Sequence, residues 1–227
     1  MSLQPLENPF WSAISTHHTH LASMDQLAGR YLPEVAPFAG VGTTDARAVA
    51  QLERLMRPGE SFYLLGLVPE LGPGWIVNTR TMLPQMVCES PITMPPGPEW
   101  VELTEAHRED MLALMAVVYP GFFRARTREM GRYIGIYDGN RLVAIAGERL
   151  RLDGYQEISA VATHPEYTGR GYAHRLVAEI ANAARTRGFV PFLHVYRENV
   201  RAVSVYERLG FVVRKELPFW NVTRQGE

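Results

Sequence analysis

Apolar residues recur along the second half of the chain at two different spacings, which predict alternating helices and strands. Residues 105–119 and 171–187 each carry a stripe of apolar side chains at helical spacing. Shorter runs, rich in apolar and β-branched residues, lie before, between and after these two segments. They predict strands at residues 100–103, 130–137, 141–150, 156–163 and 192–196.

The connections between these elements predict how the strands pair. Asp138-Gly139-Asn140 joins two of the strands and is a strong signal for a tight hairpin. A third strand follows, then the helix from 171 and the strand at 192–196. A further helix and strand from Asn199 onward complete the order β-α-β-β-β-α-β-α-β. This order combines an antiparallel meander with a β-α-β unit. It predicts an α/β fold with a mixed sheet.

The first part of the chain predicts a further α/β region. Its pattern indicates a helix at residues 44–56 and strands at residues 62–67 and 82–88. The following segment, residues 90–98, contains four prolines, which neither a helix interior nor a central strand accommodates. We therefore expect a linker there, with one domain at residues 1–97 and a second at residues 98–227.

Composition and charge narrow the class of protein. The 227 residues are 46% hydrophobic and 21% charged, as in an ordinary globular protein. The net charge of −1, from 23 basic and 24 acidic residues, offers no electrostatic basis for binding nucleic acid or an anionic membrane. No apolar run approaches the ~20 residues of a membrane span, and no signal peptide is visible. A cytoplasmic location is expected.

Neither the cysteine nor the histidines predict a metal site. Cys88 is the only cysteine in the sequence, so an intrachain disulfide and a thiolate-rich metal site are excluded. Inert packing suits it better than a role as an acyl carrier. His17, His18 and His20 fit no single helix face, and no acidic cluster lies near them. We expect these histidines on a solvated or capped helix.

A glycine-rich turn between the strand at 156–163 and the helix from 171 is the most informative segment. Gly169 and Gly171 free the backbone at the point where the helix presents N–H groups without internal partners. Such a turn predicts a cradle for a diphosphate. A Walker loop is excluded because no Lys is present, and a dinucleotide fingerprint would need a small residue in place of His174.

Two motifs in this region resemble one enzyme family. Thr168-Gly169-Arg170-Gly171-Tyr172-Ala173 resembles the pyrophosphate loop of the GCN5-related N-acetyltransferases (GNAT), which bind acetyl-CoA. Downstream, Asn199 followed by Tyr206-Glu207-Arg208-Leu209-Gly210-Phe211 resembles the last helix and strand of the same family. The segment from Glu157 to Tyr167 is similar to the FR47-like branch. The resemblance covers about residues 100–220 and implies the GNAT acyl-CoA N-acyltransferase fold, with an additional N-terminal α/β half.

The resemblance implies a set of residues that bind CoA. One departure from the family pattern is Thr168, where the family usually has Arg or Gln, so cofactor affinity is the property that this position puts in doubt. Backbone groups of the strand at 156–163 would bind the pantetheine arm, and the loop would bind the diphosphate. The implied cofactor-binding residues are Val161, Thr163, Thr168, Gly169, Arg170, Gly171, Tyr172, Ala173, His174 and Asn199.

Two residues are candidates for acid–base catalysis. Tyr206 lies seven residues after Asn199, about 10 Å along one helix face, and the resemblance implies that it protonates the departing thiolate. The alternative is a core aromatic. Glu157 corresponds to the position of a catalytic glutamate in some family members, which accepts the amine's proton directly or through water. The alternative is an edge-facing charge or a salt bridge to Arg149 or Arg151, and the two interpretations of Glu157, catalytic and structural, remain open.

The loop after the helix at 105–119 is the candidate for the acceptor side. Family members shape their substrate pocket in this region. The resemblance implies that Phe122 or Phe123 would wall it and that Arg124 or Arg126 would bind an acceptor carboxylate. A solvated basic loop is the alternative.

The sequence therefore predicts an N-acetyltransferase that moves the acetyl group of acetyl-CoA to a primary amine of a small-molecule or amino-acid-like acceptor. Direct attack in a ternary complex is the expected mechanism. Two alternatives stay open: an enzyme like glycine N-acyltransferase that uses a longer acyl-CoA, and a non-catalytic acyl-CoA-binding protein. For residues 1–97 we expect a degenerate acyltransferase-like fold, with substrate binding or formation of a homodimer as alternatives.

Overall fold

The computed structural model describes residues 5–226, which form two compact units. The first contains the residues up to Leu83 together with those from Glu216 onward, and the second is Pro84–Lys215. This division differs from the predicted one at residues 97 and 98. The proline-rich segment lies inside the second unit, where the backbone of Ile92 exchanges two hydrogen bonds with the side chain of Asn182 on a helix.

Helices and strands follow the predicted order in the second unit, with shifted ends. The strand predicted at 82–88 is much longer, and the one predicted at 130–137 starts later, after a 3₁₀ turn at Thr127–Met130. In chain order the elements are α1 (Pro9–Ile14), β1 (Ala22–Met24), β2 (Ala28–Tyr31), β3 (Ala39–Val41), α2 (Ala46–Leu55), β4 (Ser61–Leu65), β5 (Trp75–Val87), β6 (Val101–Glu102), α3 (Arg108–Val118), β7 (Tyr133–Asp138), β8 (Arg141–Leu152), β9 (Tyr155–Thr163), α4 (Tyr172–Thr186), β10 (Val190–His194), α5 (Val200–Arg208) and β11 (Val212–Arg224).

The first unit combines two ends of the chain. Its strands β1, β2 and β3 form an antiparallel sheet, and β4 pairs antiparallel with the last part of β11, from Phe219 opposite Leu65 to Thr223 opposite Ser61. The predicted helix at 44–56 is present as α2, whose Leu52 is fully buried. Because β4 and β11 are far apart in sequence, the chain pattern alone does not show that the C-terminus completes this unit.

The histidines of the first unit do not all lie in solvent as expected. His18 is buried, and its Nδ1 lies 2.8 Å from the hydroxyl of Tyr31, which is also fully buried. His20 is exposed on a short 3₁₀ turn. The pairing with Tyr31 satisfies one ring nitrogen of His18, so its burial has a structural explanation.

The second unit is built on a mixed sheet. Its strands lie in the order β5, β10, β9, β8, β7, β6, where β5 contributes only its last residues. All the neighbours pair antiparallel except β9 and β10, which are parallel. The hairpin predicted at Asp138-Gly139-Asn140 joins β7 to β8, and Gly139 has the positive φ of 59° that such a turn requires.

Helices cover both faces of this sheet. Helices α4 and α5 pack on one face, where Leu176, Ile180 and Tyr206 contact a core that includes Ile158 and Leu193. Helix α3 packs on the other face through Met111 and Leu114. We refer to these surfaces as the α4 face and the α3 face.

A β-bulge in β9 changes which side chains point to each face. Ala160 has a positive φ of 51°, which is rare for a residue with a side chain, and the pairing of β8 with β9 shifts at this position. As a result, Val161 packs on the α4 face with Ile158, whereas Ala162 packs on the α3 face. In a regular strand Glu157 and Val161 would share a face, but the bulge places them on opposite faces.

Candidate active site

A cavity of about 440 Å³ lies on the α4 face of the second unit. It joins the loop after β9, the first turn of α4, one side of α5 and the end of α3. All ten predicted cofactor-binding residues contribute to its wall. The lining residues are Val118, Tyr119, Val161, Ala162, Thr163, Tyr167, Thr168, Gly169, Arg170, Gly171, Tyr172, Ala173, His174, Asn199, Arg201, Ala202, Val205, Tyr206 and Arg208.

The glycine-rich turn forms an open cradle at one end of this cavity. Gly169 and Gly171 have φ values of +82° and +77°, a region that residues with side chains rarely adopt. A Cβ at either position would meet no protein atom within 4 Å, so the space beside both glycines is open. Gly171 precedes the 15-residue helix α4, whose first N–H groups point out of the helix end. The positive end of the helix dipole adds to this attraction for an anion.

Side-chain contacts fix the loop that leads to the cradle. The hydroxyl of Tyr167 donates to Asp138 over 2.7 Å, which ties the loop to the β7–β8 hairpin. Arg141, which belongs to the same hairpin, donates to Glu166 of the loop over 2.9 Å. The hydroxyl of Thr168 donates to the carbonyl of Pro165 over 2.9 Å. The cradle is therefore held in place by the protein itself.

The separation of β9 from β10 opens the sheet beside the cavity. The two strands pair over three positions only, the last being Glu157 opposite Phe192. Beyond this point β9 continues to Thr163 along β8, so its edge towards β10 offers backbone groups that no neighbouring strand uses. Val161 and Thr163 lie on this stretch and line the cavity. An extended ligand with amide groups would pair there as an added strand does.

Tyr206 lines the cavity and packs in the core. Its ring packs edge-on against Phe211 and only 7% of the residue is exposed. Burial, and then the neighbouring Tyr119, raise the pKa of Tyr206 above its usual range, so the hydroxyl stays protonated near neutral pH. Tyr206 therefore packs in the core and also contacts the cavity, so both interpretations of this residue apply.

Asn199 directly precedes α5 and lines the cavity. Its side-chain oxygen accepts from the backbone N–H of Ala202 over 3.2 Å, which caps the helix. Its Nδ2 donates to the hydroxyl of Tyr119 over 3.4 Å. The cap stabilises the start of the helix that carries Tyr206.

The surroundings of Glu157 speak against its predicted role as a general base. Its carboxylate is fully buried and accepts two hydrogen bonds from Arg149, over 2.6 and 2.7 Å, and one from the backbone of Leu150. Its Oε1 also lies 2.7 Å from Nδ1 of His194. Although burial alone would raise the pKa of Glu157, Arg149 and His194 lower it to about 2.

These contacts make Glu157 a poor proton acceptor at neutral pH. Glu157 also lies on the opposite face of β9 from Ile158, which packs on the α4 face with Tyr206. The salt bridge to Arg149, one of the two interpretations that the sequence left open, is the one present in the structure.

The predicted acceptor loop does not contribute to this cavity. Phe122, Phe123 and Arg124 are absent from its wall. Phe123 packs edge-on against Tyr133 on the α3 face, with ring centroids 5.6 Å apart. The backbone N–H of Arg124 donates to the hydroxyl of Thr127 over 2.7 Å. That this loop binds the acceptor stays a prediction, and the site would then lie on the α3 face.

Several cavity residues were not identified from the sequence, among them three on α5 and Tyr119. Arg201, Val205 and Arg208 follow one another on α5 at intervals of four and three residues, so helical spacing would have placed them on one face. Tyr119 had no comparable signal, since it follows the last residue of α3. Its position depends on how the helix ends.

Neither a metal-binding cluster nor a membrane-spanning helix is found in the part of the chain that is described. Between residues 5 and 226, no cluster of three or more His, Cys, Asp or Glu side chains is arranged to hold a metal ion. Over the same residues, no helix has the length and apolar character needed to cross a bilayer.

Comparisons with known proteins agree with this architecture. The model of the FR47-like protein family matches residues 133–220. N-alpha-acetyltransferase RimI of Mycobacterium tuberculosis is 32% identical over 120 residues, which cover 48% of this chain and 75% of the relative. A crystal structure described as an acetyltransferase of the GNAT family, from Novosphingobium aromaticivorans, is 31% identical, covers 99% of this chain and 100% of its own, and has a TM-score of 0.89.

A more distant structure shares the fold. The GCN5-related N-acetyltransferase of Kribbella flavida is 16% identical and has a TM-score of 0.65, over 95% of this chain and 94% of its own.

The low pKa of Glu157 predicts how its substitution changes stability with pH. A carboxylate whose folded pKa lies below its ordinary value of 4.5 stabilises the fold above that value, and this contribution is lost as the pH falls towards about 2. We expect Glu157→Gln to lower the free energy of unfolding most above about pH 5. The difference from the wild type should shrink as the solution is acidified.

Denaturant unfolding of the wild type and of Glu157→Gln measures this difference, with experiments from about pH 3 to about pH 7 in steps of about one pH unit. A difference that stays constant across the range would contradict the ionised, paired state of Glu157.

Proposed function

The chain belongs to the GCN5-related N-acetyltransferase family, and we propose that it transfers the acetyl group of acetyl-CoA to the primary amine of a small-molecule or amino-acid-like acceptor. Its similarity to these relatives identifies it as an acyl-CoA-dependent N-acetyltransferase. The nature of the acceptor and the roles of individual residues are the parts that we propose here.

One observation carries the proposal: a single cavity is lined both by the open cradle at Gly171 and by Tyr206. A diphosphate needs the first feature, and a departing thiolate needs the second. The free edge of β9 at Val161 and Thr163 lines the same cavity. A ligand with a diphosphate, amides and a thioester would use all three features.

The residues present fit CoA in chemical terms. Both glycines of the cradle leave open space for an anion, and Nε2 of His174 is buried without a hydrogen-bond partner among the described residues. Backbone N–H groups at the start of α4 would bind the diphosphate, and Val161 and Thr163 would bind the pantetheine amides. When bound, acetyl-CoA supplies an activated acyl group on a thioester.

Proton transfer in the proposed reaction uses Tyr206. The hydroxyl is protonated at neutral pH and gives its proton to the leaving thiolate. In place of Glu157, we propose that water accepts the proton of the attacking amine. Glu157 instead binds Arg149 of β8 and His194 of β10, and so holds three strands together where β9 and β10 separate.

The acceptor would approach from the α3 face. The gap between β9 and β10 connects the two faces of the sheet, because no backbone pairing closes it beyond Glu157 and Phe192. The M. tuberculosis relative is named for acetylation of an α-amine, so amino acids and peptide N-termini belong among the acceptors to be tested.

Release of the CoA thiol from acetyl-CoA, measured with a panel of small amines, amino acids and short peptides, tests the proposed activity. We expect amine-dependent thiol release with at least one class of acceptor. The same assay with longer acyl-CoA donors tests the preference for acetyl. CoA binding without turnover on any acceptor would instead support a non-catalytic acyl-CoA-binding protein.

Substitution of Gly171 tests the position of the cofactor. We expect Gly171→Val to weaken CoA binding at least about tenfold in calorimetry, because a side chain at this φ strains the cradle and occupies the phosphate space. Gly188 offers a matched control at the other end of α4, since it has a φ of +84° and equally open surroundings. Gly188→Val should keep the affinity for CoA. Unchanged CoA affinity in Gly171→Val would exclude this placement.

Substitution of Tyr206 tests the proposed acid. Tyr206→Phe keeps the ring in the core and removes the hydroxyl, so CoA affinity and stability should change little while turnover falls by roughly 10²–10⁴-fold. Tyr155→Phe is the control, because Tyr155 also packs edge-on against a phenylalanine but lies outside the cavity. Full turnover by a folded Tyr206→Phe protein that binds CoA would refute the assignment.

A further inference from the structure

We propose that Arg201 and Arg208 of α5 supply the positive charge that binds the phosphates of CoA, in place of the residue that the loop lacks at position 168. This inference rests on the proposed function, since it concerns the same cofactor. It assigns a part of the phosphate site to a helix outside the glycine-rich loop.

The loop itself provides little positive charge. Thr168 is uncharged, and its hydroxyl already donates to the carbonyl of Pro165. Arg170 is the only basic side chain between Thr168 and Ala173, and its guanidinium lies 4.6 Å from the centre of the Tyr167 ring. Backbone N–H groups and one stacked arginine would therefore face a ligand that carries a diphosphate and a further phosphate.

Helix α5 places two more arginines at the cavity. Arg201 and Arg208 are seven residues apart, which is two helical turns or about 10 Å along one face, and both line the cavity. Both are exposed at the surface. Neither forms an ion pair with an acidic side chain among residues 5–226, and Arg208 donates only to the neutral hydroxyl of Ser204, over 2.6 Å. Their charges are thus available to an anion.

Arg208 and the cradle line the same cavity. Burial, and then the charge of Arg208, lower the pKa of His174 in the first turn of α4. The charge of Arg208 therefore acts on the helix end that presents its N–H groups to this cavity. A helix N-terminus and a cation that share one cavity are a suitable environment for a phosphate group.

Calorimetric titration with CoA compares the wild type with Arg201→Gln, Arg208→Gln and the control Arg151→Gln. Arg151 is an exposed arginine that stacks on Phe189 outside the cavity, so its substitution removes the same charge without touching the site. We expect each of the two α5 variants to lose about tenfold or more in CoA affinity. Arg151→Gln should stay within about twofold of the wild type.

Salt dependence separates a lost charge from a disturbed helix. Contacts between exposed charges are screened at high ionic strength, so the loss in both α5 variants should shrink as salt rises from about 0.05 M to about 0.5 M. Arg208→Lys, which keeps the charge, should recover most of the affinity that Arg208→Gln loses. A loss that is independent of salt, or that Arg208→Lys shares in full, would overturn the inference.

The outcome also distinguishes this inference from the proposed function. If the wild type binds CoA and both glutamine variants bind it equally well, the arginine assignment fails while the proposed function stands. If the wild type itself does not bind CoA, both fail.

Discussion

The site depends on one feature of the backbone, the separation of β9 from β10 after only three paired positions. Two parallel strands that remained paired would close the sheet and satisfy their own backbone groups. Here the pairing ends at Glu157 and Phe192, directly where the buried carboxylate binds Arg149 on one neighbouring strand and His194 on the other. A buried ion pair of this kind is costly to break, so it fixes the point at which the gap begins.

The remaining parts of the site come from elements that line the cavity beside this gap. Beyond it, the bulge at Ala160 turns Val161 towards the α4 face, and the strand then leads into the loop whose glycines open the cradle. Asn199 caps α5, and it lines the same cavity as Tyr206 of that helix. Three separate elements, β9, α4 and α5, thus contribute to one cavity.

Local signals in the sequence predicted much of this arrangement. Periodicity located α2, α3 and α4, the Asp138-Gly139-Asn140 turn located the hairpin, and Gly169 with Gly171 located the cradle. What was missed depends on contacts between distant residues. The pairing of β11 with β4 and the partners of Glu157 require the folded chain, and the bulge at Ala160 shifts the alternation that a strand pattern assumes.

A structure of the protein with CoA tests the central claim most directly. The account predicts diphosphate oxygens at the N–H groups of Gly171 to His174, a pantetheine arm along Val161 and Thr163, and a thiol within hydrogen-bond reach of the Tyr206 hydroxyl, directly or through one water. CoA bound outside the α4-face cavity, or a thiol remote from Tyr206, would contradict it.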